Sequence, residues 1–344
     1  MNYQPAFTFP WLEEILACPA CSASVRRFED LYTCSACKRT YPVRYGIPDF
    51  RVAPDPYISI GQELDKIDKF FAPGRSFEDM LKAYYDITPE SPPQLHTHYI
   101  TAMNHAAVRG AALVRKLQKR FPDSGRKRFL DLGCGTAGMS IAACRDYREV
   151  VGVDVALRWL VMASVRLDEQ GVAIPLICAN AEALPLKDSS FNAVAADGVL
   201  EHVRSSARMR DETLRVLDST GGFFFTTTNR YSILPEPHVR ILGFGLLPRR
   251  LMEKVAMKFR HTPYRTHLHS RNELLRLFDG NAEVLPPQYD RGDLGRRHER
   301  VRRIWEFLRK IPFIRAILTR VVPQFFIFGQ HGERGSRRIA APAR

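Results

Sequence analysis

The stretch FLDLGCGTAG, residues 129–138, decides the fold of this chain. Apolar residues lead into Asp131, glycines follow at positions 133, 135 and 138, and MSIAA then opens a helix-like run. A strand, a tight glycine turn and a helix N-terminus in this order bring the backbone close to a nucleotide-like ligand. The spacing Gly133-x-Gly135-x-x-Gly138 also satisfies the dinucleotide fingerprint, so the glycines alone leave the ligand open.

Two acidic residues narrow the choice of ligand. Asp131 would repel a pyrophosphate but would attract a ligand that carries an ammonium group. About twenty residues further on, VVGVDVA places Asp154 at the end of a second strand, where it accepts hydrogen bonds from a ribose diol. A ligand with a ribose, a positive centre and no phosphate is S-adenosylmethionine, which the sequence therefore predicts as the cofactor.

Apolar runs that alternate with helical patterns predict an α/β fold with a doubly wound, mostly parallel, Rossmann-like sheet. The predicted strands cover residues 129–132, 149–154, 174–180, 191–200 and 221–229, with helices from about residue 138 and over 156–169. AEVLP and PQFFIFGQ (323–330) supply the last two strands. Ser270 and Glu273 predict a capped helix over 270–278, and YITAMNHAAVRGAALVRKLQKRF (99–121) predicts a helix before the first strand.

Four of the seven cysteines form two CxxC pairs near the N-terminus, Cys18 with Cys21 and Cys34 with Cys37. The twelve residues between the pairs include VRRFEDLYT, which is long enough for a hairpin that brings both pairs to one metal. Four thiolates leave no open position, so the sequence predicts a structural zinc site. This cysteine usage suits a reducing compartment.

The motifs LDLGCGTAG, VVGVDVA, NAEALPLKDSSFNAV and GVLEHV resemble the class I S-adenosylmethionine-dependent methyltransferases, particularly the type-11 group, in order and spacing. The resemblance covers residues 125–230 and implies an antiparallel pair of strands at the sheet edge. It implies that Asp131, Gly133 and Gly135 line the methionine end, Asp154 the ribose, and Asn180 with Ala181 the adenine. The full predicted cofactor set is Asp131, Gly133, Cys134, Gly135, Asp154, Val155, Asn180, Ala181, Glu182 and Asp197.

The chain departs from the family pattern at two positions. Ala137 stands where the third glycine is usual, and Asn180 stands where the family usually has Asp. The cysteine segment has its own resemblance, because CPAC, CSAC and YPVRYGIP (41–48) are similar to zinc-ribbon activator proteins that partner tRNA and protein methyltransferases. This implies an accessory ribbon fused to a methyltransferase.

These signals divide the chain into parts. Residues 1–52 are predicted as the zinc ribbon and 53–98 as a linker with broken helices. The methyltransferase domain is predicted over 99–332, with lid insertions near 230–268 and 288–322, and 333–344 as a disordered tail.

Candidate catalytic residues follow the fourth strand and lie in the first lid insertion. Glu201 and His202 occur in LEHV, and His238 occurs in PEPH, in the region that meets the acceptor. A histidine there can remove a proton from the acceptor, and His238 is slightly favoured. The alternatives are that Glu201 and His202 orient their loop and that Glu236 holds His238 in the lid.

The charge distribution bears on partners. The chain carries a net charge of +14, and residues 240–344 hold 23 basic and 9 acidic side chains. This excess indicates an anionic partner or a solvated arginine-rich surface. The stripe Val301, Ile304, Trp305, Leu308 and Ile311 predicts either a core-facing helix or one lying on an anionic membrane.

The favoured function is therefore methylation of a small-molecule or lipid-linked acceptor by a cytoplasmic protein, with peripheral membrane association as an option. The first alternative is an rRNA or tRNA methyltransferase that captures RNA through the ribbon and the basic C-terminal third. Against it, the Asn/Asp-Pro-Pro-aromatic signature of amino methyltransferases is replaced by Asp197-Gly-Val-Leu200. A non-catalytic partner protein is a further alternative. No apolar run is long enough to span a bilayer, and no secretory signal is apparent.

Overall fold

The computed structural model of this chain describes residues 9–88, 91, 93–122, 126–287, 311 and 320–331. The first described elements are helix α1 (Pro10–Ile15) and a small antiparallel sheet whose strands pair in chain order. These strands are β1 (Val25–Phe28), β2 (Leu31–Cys34), β3 (Thr40–Arg44) and β4 (Ile47–Pro48). The hairpin of β1 and β2 joins the two cysteine pairs, as the sequence predicts.

A larger seven-stranded sheet follows after four helices. The helices are α2 (Ile60–Phe70), α3 (Phe77–Asp86), α4 (Pro93–Asn104) and α5 (Ala106–Arg120). The remaining elements are β5 (Arg128–Leu132), α6 (Gly138–Ala143), β6 (Glu149–Asp154), α7 (Leu157–Glu169), β7 (Leu176–Cys178), β8 (Phe191–Asp197), α8 (Ser206–Val216), β9 (Leu217–Thr228), α9 (Arg249–Arg260), α10 (Arg271–Phe278), β10 (Ala282–Leu285) and β11 (Gln324–Gln330).

The strand order of the larger sheet is β10-β11-β9-β8-β5-β6-β7. The five strands from β9 to β7 are parallel, whereas β11 pairs antiparallel with both β9 and β10. This confirms the Rossmann-like sheet and its antiparallel edge pair. The chain order reverses at β5, between β6 and β8, so a crevice opens beyond the carboxyl ends of these strands.

The glycine turn after β5 is where the chain most needs a residue without a side chain. Gly133 has a φ of +74°, and a Cβ there would lie 2.3 Å from Cγ2 of Val199. Only glycine avoids both the backbone strain and this clash. Strand β5 itself is buried from Phe129 to Leu132, because helices cover both faces of a parallel sheet.

Several helices differ from the sequence-based expectation. The helix predicted over 99–121 is two helices, α4 and α5, which meet at His105. Pro93 opens α4 rather than breaking it, because the first helical position needs no N–H group. Helices α8 and α9 are not predicted from the sequence. Helix α10 begins as predicted, with a reciprocal capping box between Ser270 and Glu273. The stripe from Val301 to Leu308 and the tail 333–344 lie outside the described residues.

The cysteine ribbon and the larger sheet share one hydrophobic core. Leu16 forms a β-bridge with Leu186, and Asp49 forms one with Cys178 at the edge of the large sheet. The ring of Phe50, fully buried, packs between Tyr32 and Tyr41 of the ribbon. The cysteine pattern and the methyltransferase motifs predict two modules, but ribbon and domain residues pack into a single cluster.

No helix in the described part of the chain combines the length and apolar character needed to cross a bilayer.

Replacing Phe50 by Ala tests whether the shared core acts as one unit. Phe50 is 0% exposed, so the cavity left behind should lower the free energy of unfolding by about 3–5 kcal/mol. Urea denaturation should show a single transition when followed by tryptophan fluorescence and by cysteine accessibility. The matched control is Phe28→Ala in the same ribbon, which is 76% exposed and should change stability by less than about 0.5 kcal/mol. Two separate transitions in the wild-type protein would contradict a common core.

Candidate active site

A cavity of about 290 Å³ lies beyond the carboxyl ends of β5, β6, β7 and β8. Eight of the ten predicted cofactor residues line it: Gly133, Gly135, Val155, Asp154, Asn180, Ala181, Glu182 and Asp197. Asp131 and Cys134 are buried beside the turn and do not line the cavity. The sequence pattern therefore brings most of the predicted set to one place.

Asp154 is held rigidly at the end of β6. One carboxylate oxygen accepts a hydrogen bond from the backbone N–H of Gly135 and the other from that of Ala156, each at 2.8 Å. Each oxygen keeps a second lone pair, so the pair of oxygens can also accept from the two hydroxyls of a ribose. Burial raises the pKa of Asp154 to about 6, against the effect of these two hydrogen bonds.

Asp131 lies directly behind the glycine turn. The hydroxyl of Ser140 donates to its carboxylate at 2.6 Å. Burial raises the pKa of Asp131 to about 7, and the nearby charges of Asp197 and Asp154 add to the effect. Asp154 and Asp197 line one end of the cavity, Asp131 is buried behind it, and Arg109 pairs with Asp197. Carboxylates in these positions disfavour a pyrophosphate and fit a cationic ligand such as S-adenosylmethionine.

Asn180 does not present a free amide to the cavity. Its side-chain oxygen accepts hydrogen bonds from the backbone N–H groups of Val52 and Ala53, at 2.9 and 3.1 Å, and its NH₂ group donates to the carbonyl of Ala53. The residue predicted to border the adenine therefore holds the segment that follows the ribbon. We call residues 49–57 the strap.

The strap forms a wall of the cavity, although its sequence predicts only a linker. Asp55, Pro56 and Tyr57 line the cavity, together with Arg158 and Trp159 of α7. The prolines at positions 54 and 56 suggested an open linker, and no sequence motif marks the strap as part of a site.

A buried network of charges fastens the strap. Arg51 pairs with Asp49 and with Glu63 of α2, each at 2.6 Å, and donates to the carbonyl of Val155. Arg158 pairs with the second oxygen of Glu63 at 2.8 Å and with Asp55 at 2.9 Å. The ribbon exit, α2 and α7 therefore meet at one carboxylate beside the cofactor cavity.

The three predicted catalytic residues lie together, with their ligand atoms within 4.8 Å of one another. Glu201 is buried and accepts hydrogen bonds from the hydroxyls of Thr227 and Thr228 at 2.7 and 3.1 Å. His202 lines the cavity, and its Nε2 lies 2.9 Å from Nε2 of His238. His238 does not line the cavity; its Nδ1 bonds to the carboxylate of Glu236. The expected Glu236–His238 contact thus accompanies a direct contact between the histidines.

The two histidines have opposite pKa shifts. Burial and the neighbouring His238 together lower the pKa of His202 to about 4, although the charge of Glu201 acts in the opposite direction. Burial acts in the same direction on His238, but the hydrogen bond and charge of Glu236 outweigh it and raise its pKa above 6.5. His202 is therefore neutral at neutral pH, and a proton in this pair resides preferentially on His238.

The four ribbon cysteines also converge, with all four sulfur atoms within 4.8 Å of one another. The Sγ–Sγ distances are 3.4 Å for Cys21 and Cys34 and 3.7 Å for Cys18 and Cys37. Both CxxC turns are followed by a residue in the left-handed region, Ser22 in the first and Lys38 in the second. Two equivalent turns that present four thiols to one point fit a tetrahedral zinc ion.

Replacing Asp154 by Ala should weaken the binding of both S-adenosylmethionine and S-adenosylhomocysteine. The expected loss is about 1.5–3 kcal/mol, because hydrogen bonds to a charged group are removed. Isothermal titration calorimetry measures the affinities, and thermal unfolding checks the fold. Asp65→Ala, on the exposed face of α2, is the matched control and should leave both affinities unchanged. Equal affinities in the Asp154 variant and wild type would contradict the assignment.

Comparison with known proteins agrees with this geometry. Residues 130–225 match the type-11 methyltransferase family model, described as a methyltransferase domain. An uncharacterized protein of Methanocaldococcus jannaschii is 30% identical over 154 residues, which cover 44% of this chain and 53% of that protein. The ubiquinone biosynthesis O-methyltransferase of Parvibaculum lavamentivorans is 29% identical over 182 residues, which cover 50% of this chain and 69% of that enzyme.

Among solved structures, a complex of phosphoethanolamine N-methyltransferase 2 of Haemonchus contortus with S-adenosyl-L-methionine is 16% identical. The match covers 76% of this chain and 62% of that one, with a TM-score of 0.46. The chain spans about half the length of the archaeal relative and about two thirds of the ubiquinone enzyme. The similarity to methyltransferase domains is thus carried by residues 130–225, which contain the glycine turn and Asp154.

Proposed function

We propose that this chain transfers a methyl group from S-adenosylmethionine to a hydroxyl group of a small-molecule acceptor. The observation that carries the proposal is that His202, backed by His238 and Glu236, opens into the same cavity as Gly135 and Asp154. A hydroxyl must lose a proton to become a strong nucleophile, and a neutral histidine can assist that loss. The similarity to an enzyme named as an O-methyltransferase supports oxygen as the acceptor atom.

Different residues bind the cofactor and assist the transfer of the acceptor proton. The bound cofactor supplies a methyl group whose bond electrons remain on sulfur, while the acceptor oxygen provides the electron pair for the new bond. Asp154 holds the ribose, and the carboxylates of Asp131 and Asp197 favour the positive charge. His202 lies at the acceptor side of the cavity. The protein aligns the methyl group with the acceptor oxygen and accepts the proton of the acceptor hydroxyl, which is what methyl transfer to oxygen requires.

The acceptor is proposed to carry an apolar chain, and the protein to approach an anionic membrane through its basic C-terminal third. The support is the surface of the lid over residues 230–268, which exposes apolar side chains beside basic ones. The exposed apolar residues are Tyr231, Ile233, Leu234, Leu242, Leu246, Leu251, Met257 and Phe259. Basic residues alone suffice to bind RNA phosphates, whereas a lipid surface also uses exposed apolar side chains. The exposed apolar residues of the lid therefore support a lipid partner over RNA.

The ribbon is proposed to bind one structural zinc ion through Cys18, Cys21, Cys34 and Cys37. Bound zinc supplies no reactive position when four thiolates surround it. Its effect on catalysis is therefore indirect. It fixes the ribbon from which the strap leaves toward the cavity.

Methyl transfer can be tested with S-adenosylmethionine that carries a deuterated methyl group and with a total lipid and metabolite extract. Mass spectrometry should detect a deuterated methyl ether in the organic phase. His202→Ala should lower the rate by about 10²-fold or more, since it removes the proton acceptor, and should leave S-adenosylhomocysteine affinity within a factor of about three. Label found only in RNA would contradict a small-molecule acceptor.

Replacing Cys34 by Ser tests the zinc site and its connection to the cofactor. The variant should lose most of about one zinc per chain, measured by elemental analysis. Because the ribbon and the strap are packed as one unit with the domain, cofactor affinity should also fall. Cys144→Ser, which removes a cysteine far from the cluster in sequence, is the control and should change neither quantity. Full zinc content in the Cys34 variant would rule the site out.

A further inference from the structure

Four side chains form a continuous hydrogen-bonded row from the cavity into the protein. The hydroxyl oxygen of Tyr57 lies 3.1 Å from Nδ1 of His202, and Nε2 of His202 lies 2.9 Å from Nε2 of His238. Nδ1 of His238 bonds to the carboxylate of Glu236. Tyr57 and His202 line the cavity, whereas Glu236 is 3% exposed at the inner end. The row therefore joins the acceptor side of the cavity to a buried negative charge.

The chemistry of the groups fixes the direction of every hydrogen bond when both histidines are neutral. The carboxylate of Glu236 can only accept, so Nδ1 of His238 carries a hydrogen. Nε2 of His238 then accepts from Nε2–H of His202. This leaves Nδ1 of His202 as an acceptor for the hydroxyl hydrogen of Tyr57. In this arrangement the Tyr57 oxygen keeps a lone pair, and the residue is 42% exposed, so a ligand in the cavity can reach it.

We propose that Tyr57 is a catalytic residue that receives the proton of the acceptor hydroxyl and passes it through His202 to His238. The proposal rests on the proposed function and names the route that the proton takes. The acceptor proton moves to the Tyr57 oxygen as the tyrosine's own hydrogen moves to Nδ1 of His202. The hydrogen on Nε2 of His202 moves to Nε2 of His238. The products are a methylated oxygen, a neutral Tyr57 and an imidazolium at His238 beside the carboxylate of Glu236, so atoms and charge balance.

The inner end of the row is built to hold the proton. Glu236 accepts further hydrogen bonds from the backbone N–H groups of His238 and Val239 and from the hydroxyl of Tyr264. Glu201, in the loop after β8, is a second buried carboxylate whose negative charge also raises the pKa of His238. Helix α4 contributes only the hydroxyl of Tyr99, which donates to the carbonyl of His238. The raised pKa of His238 and the lowered pKa of His202 agree with a proton that comes to rest on His238.

The position of Tyr57 explains why the strap crosses the cavity. Tyr57 is anchored by its own N–H, which donates to Asp55 at 2.7 Å, and Asp55 pairs with Arg158. The hydroxyl of Thr266 lies 3.4 Å from the Tyr57 oxygen and supports it from the lid side of the chain. The segment that leaves the ribbon thus delivers a reactive group to the acceptor, in addition to closing the cofactor cavity.

The decisive variant is Tyr57→Phe, which keeps the ring against His202 and removes only the hydroxyl. With the methyl acceptor found in the extract assay, kcat should fall by about 10²-fold while S-adenosylhomocysteine affinity stays within a factor of about three. The matched control is Tyr45→Phe, a partly exposed tyrosine of the ribbon whose hydroxyl bonds Asp68 away from the cavity, and its kcat should equal that of the wild type. A wild-type kcat in Tyr57→Phe overturns the proposal.

The pH profile separates a relay from a structural effect. Activity needs His238 unprotonated, so the rate should fall as pH drops through the pKa of His238. Glu236→Gln removes the charge that raises this pKa and should shift the acidic limb of the kcat profile to lower pH. An unshifted limb overturns the proposal.

The positions of the histidine protons can be measured without turnover, so they test the relay independently of whether the protein methylates a small molecule. Nitrogen NMR of the ¹⁵N-histidine-labelled 344-residue chain at alkaline pH should show His202 protonated at Nε2 and His238 at Nδ1. His202 protonated at Nδ1 in that neutral state overturns the relay, whatever the acceptor is. The predicted tautomers together with no methylation of any acceptor would instead contradict the proposed function.

Discussion

Two buried arginines, Arg51 and Arg158, share the carboxylate of Glu63, and the arrangement of the active site depends on this interaction. The network is closed by Asp49 on the ribbon side and Asp55 on the cavity side. Removing one partner of a buried pair is strongly destabilising, on the order of 3–5 kcal/mol, because a charge is left without compensation. The network ties the strap to α2 and α7 at two points, Asp49 through Arg51 and Asp55 through Arg158, and Tyr57 follows Asp55 by two residues.

The fold was largely predictable because its signals are local. Glycine spacing after β5, continuous apolar strands and a capping box at Ser270 each depend on neighbouring residues, and the structure contains all three. The helices around residues 60–104 were less predictable, because prolines that open helices and prolines that end them look alike in a sequence. The common core of ribbon and domain was not predictable either. It depends on pairing between residues 16 and 186 and between 49 and 178, which no local pattern specifies.

In the candidate site, too, the features set by local sequence were predictable and those set by distant contacts were not. Asp154 and the glycines follow from strand ends, and eight of the ten predicted cofactor residues line the cavity. Asn180 lies where it was predicted, but its amide is used by the backbone of Val52 and Ala53, a contact over more than a hundred residues. His202 and His238 were separate candidates, and only the folded lid shows that they touch. Tyr57 carried no signal, since a tyrosine among prolines resembles any linker.

The bridges from Leu16 to Leu186 and from Asp49 to Cys178 also set an order of events during synthesis. Phe50 has its ring partners Tyr32 and Tyr41 within the ribbon, but Leu16 is synthesised long before the sheet edge near residues 178–186 with which it pairs. At ordinary translation rates of about 5–20 residues per second, that interval lasts on the order of ten seconds. During it the local β1–β2 hairpin can already bring the four cysteines together, before the large sheet exists.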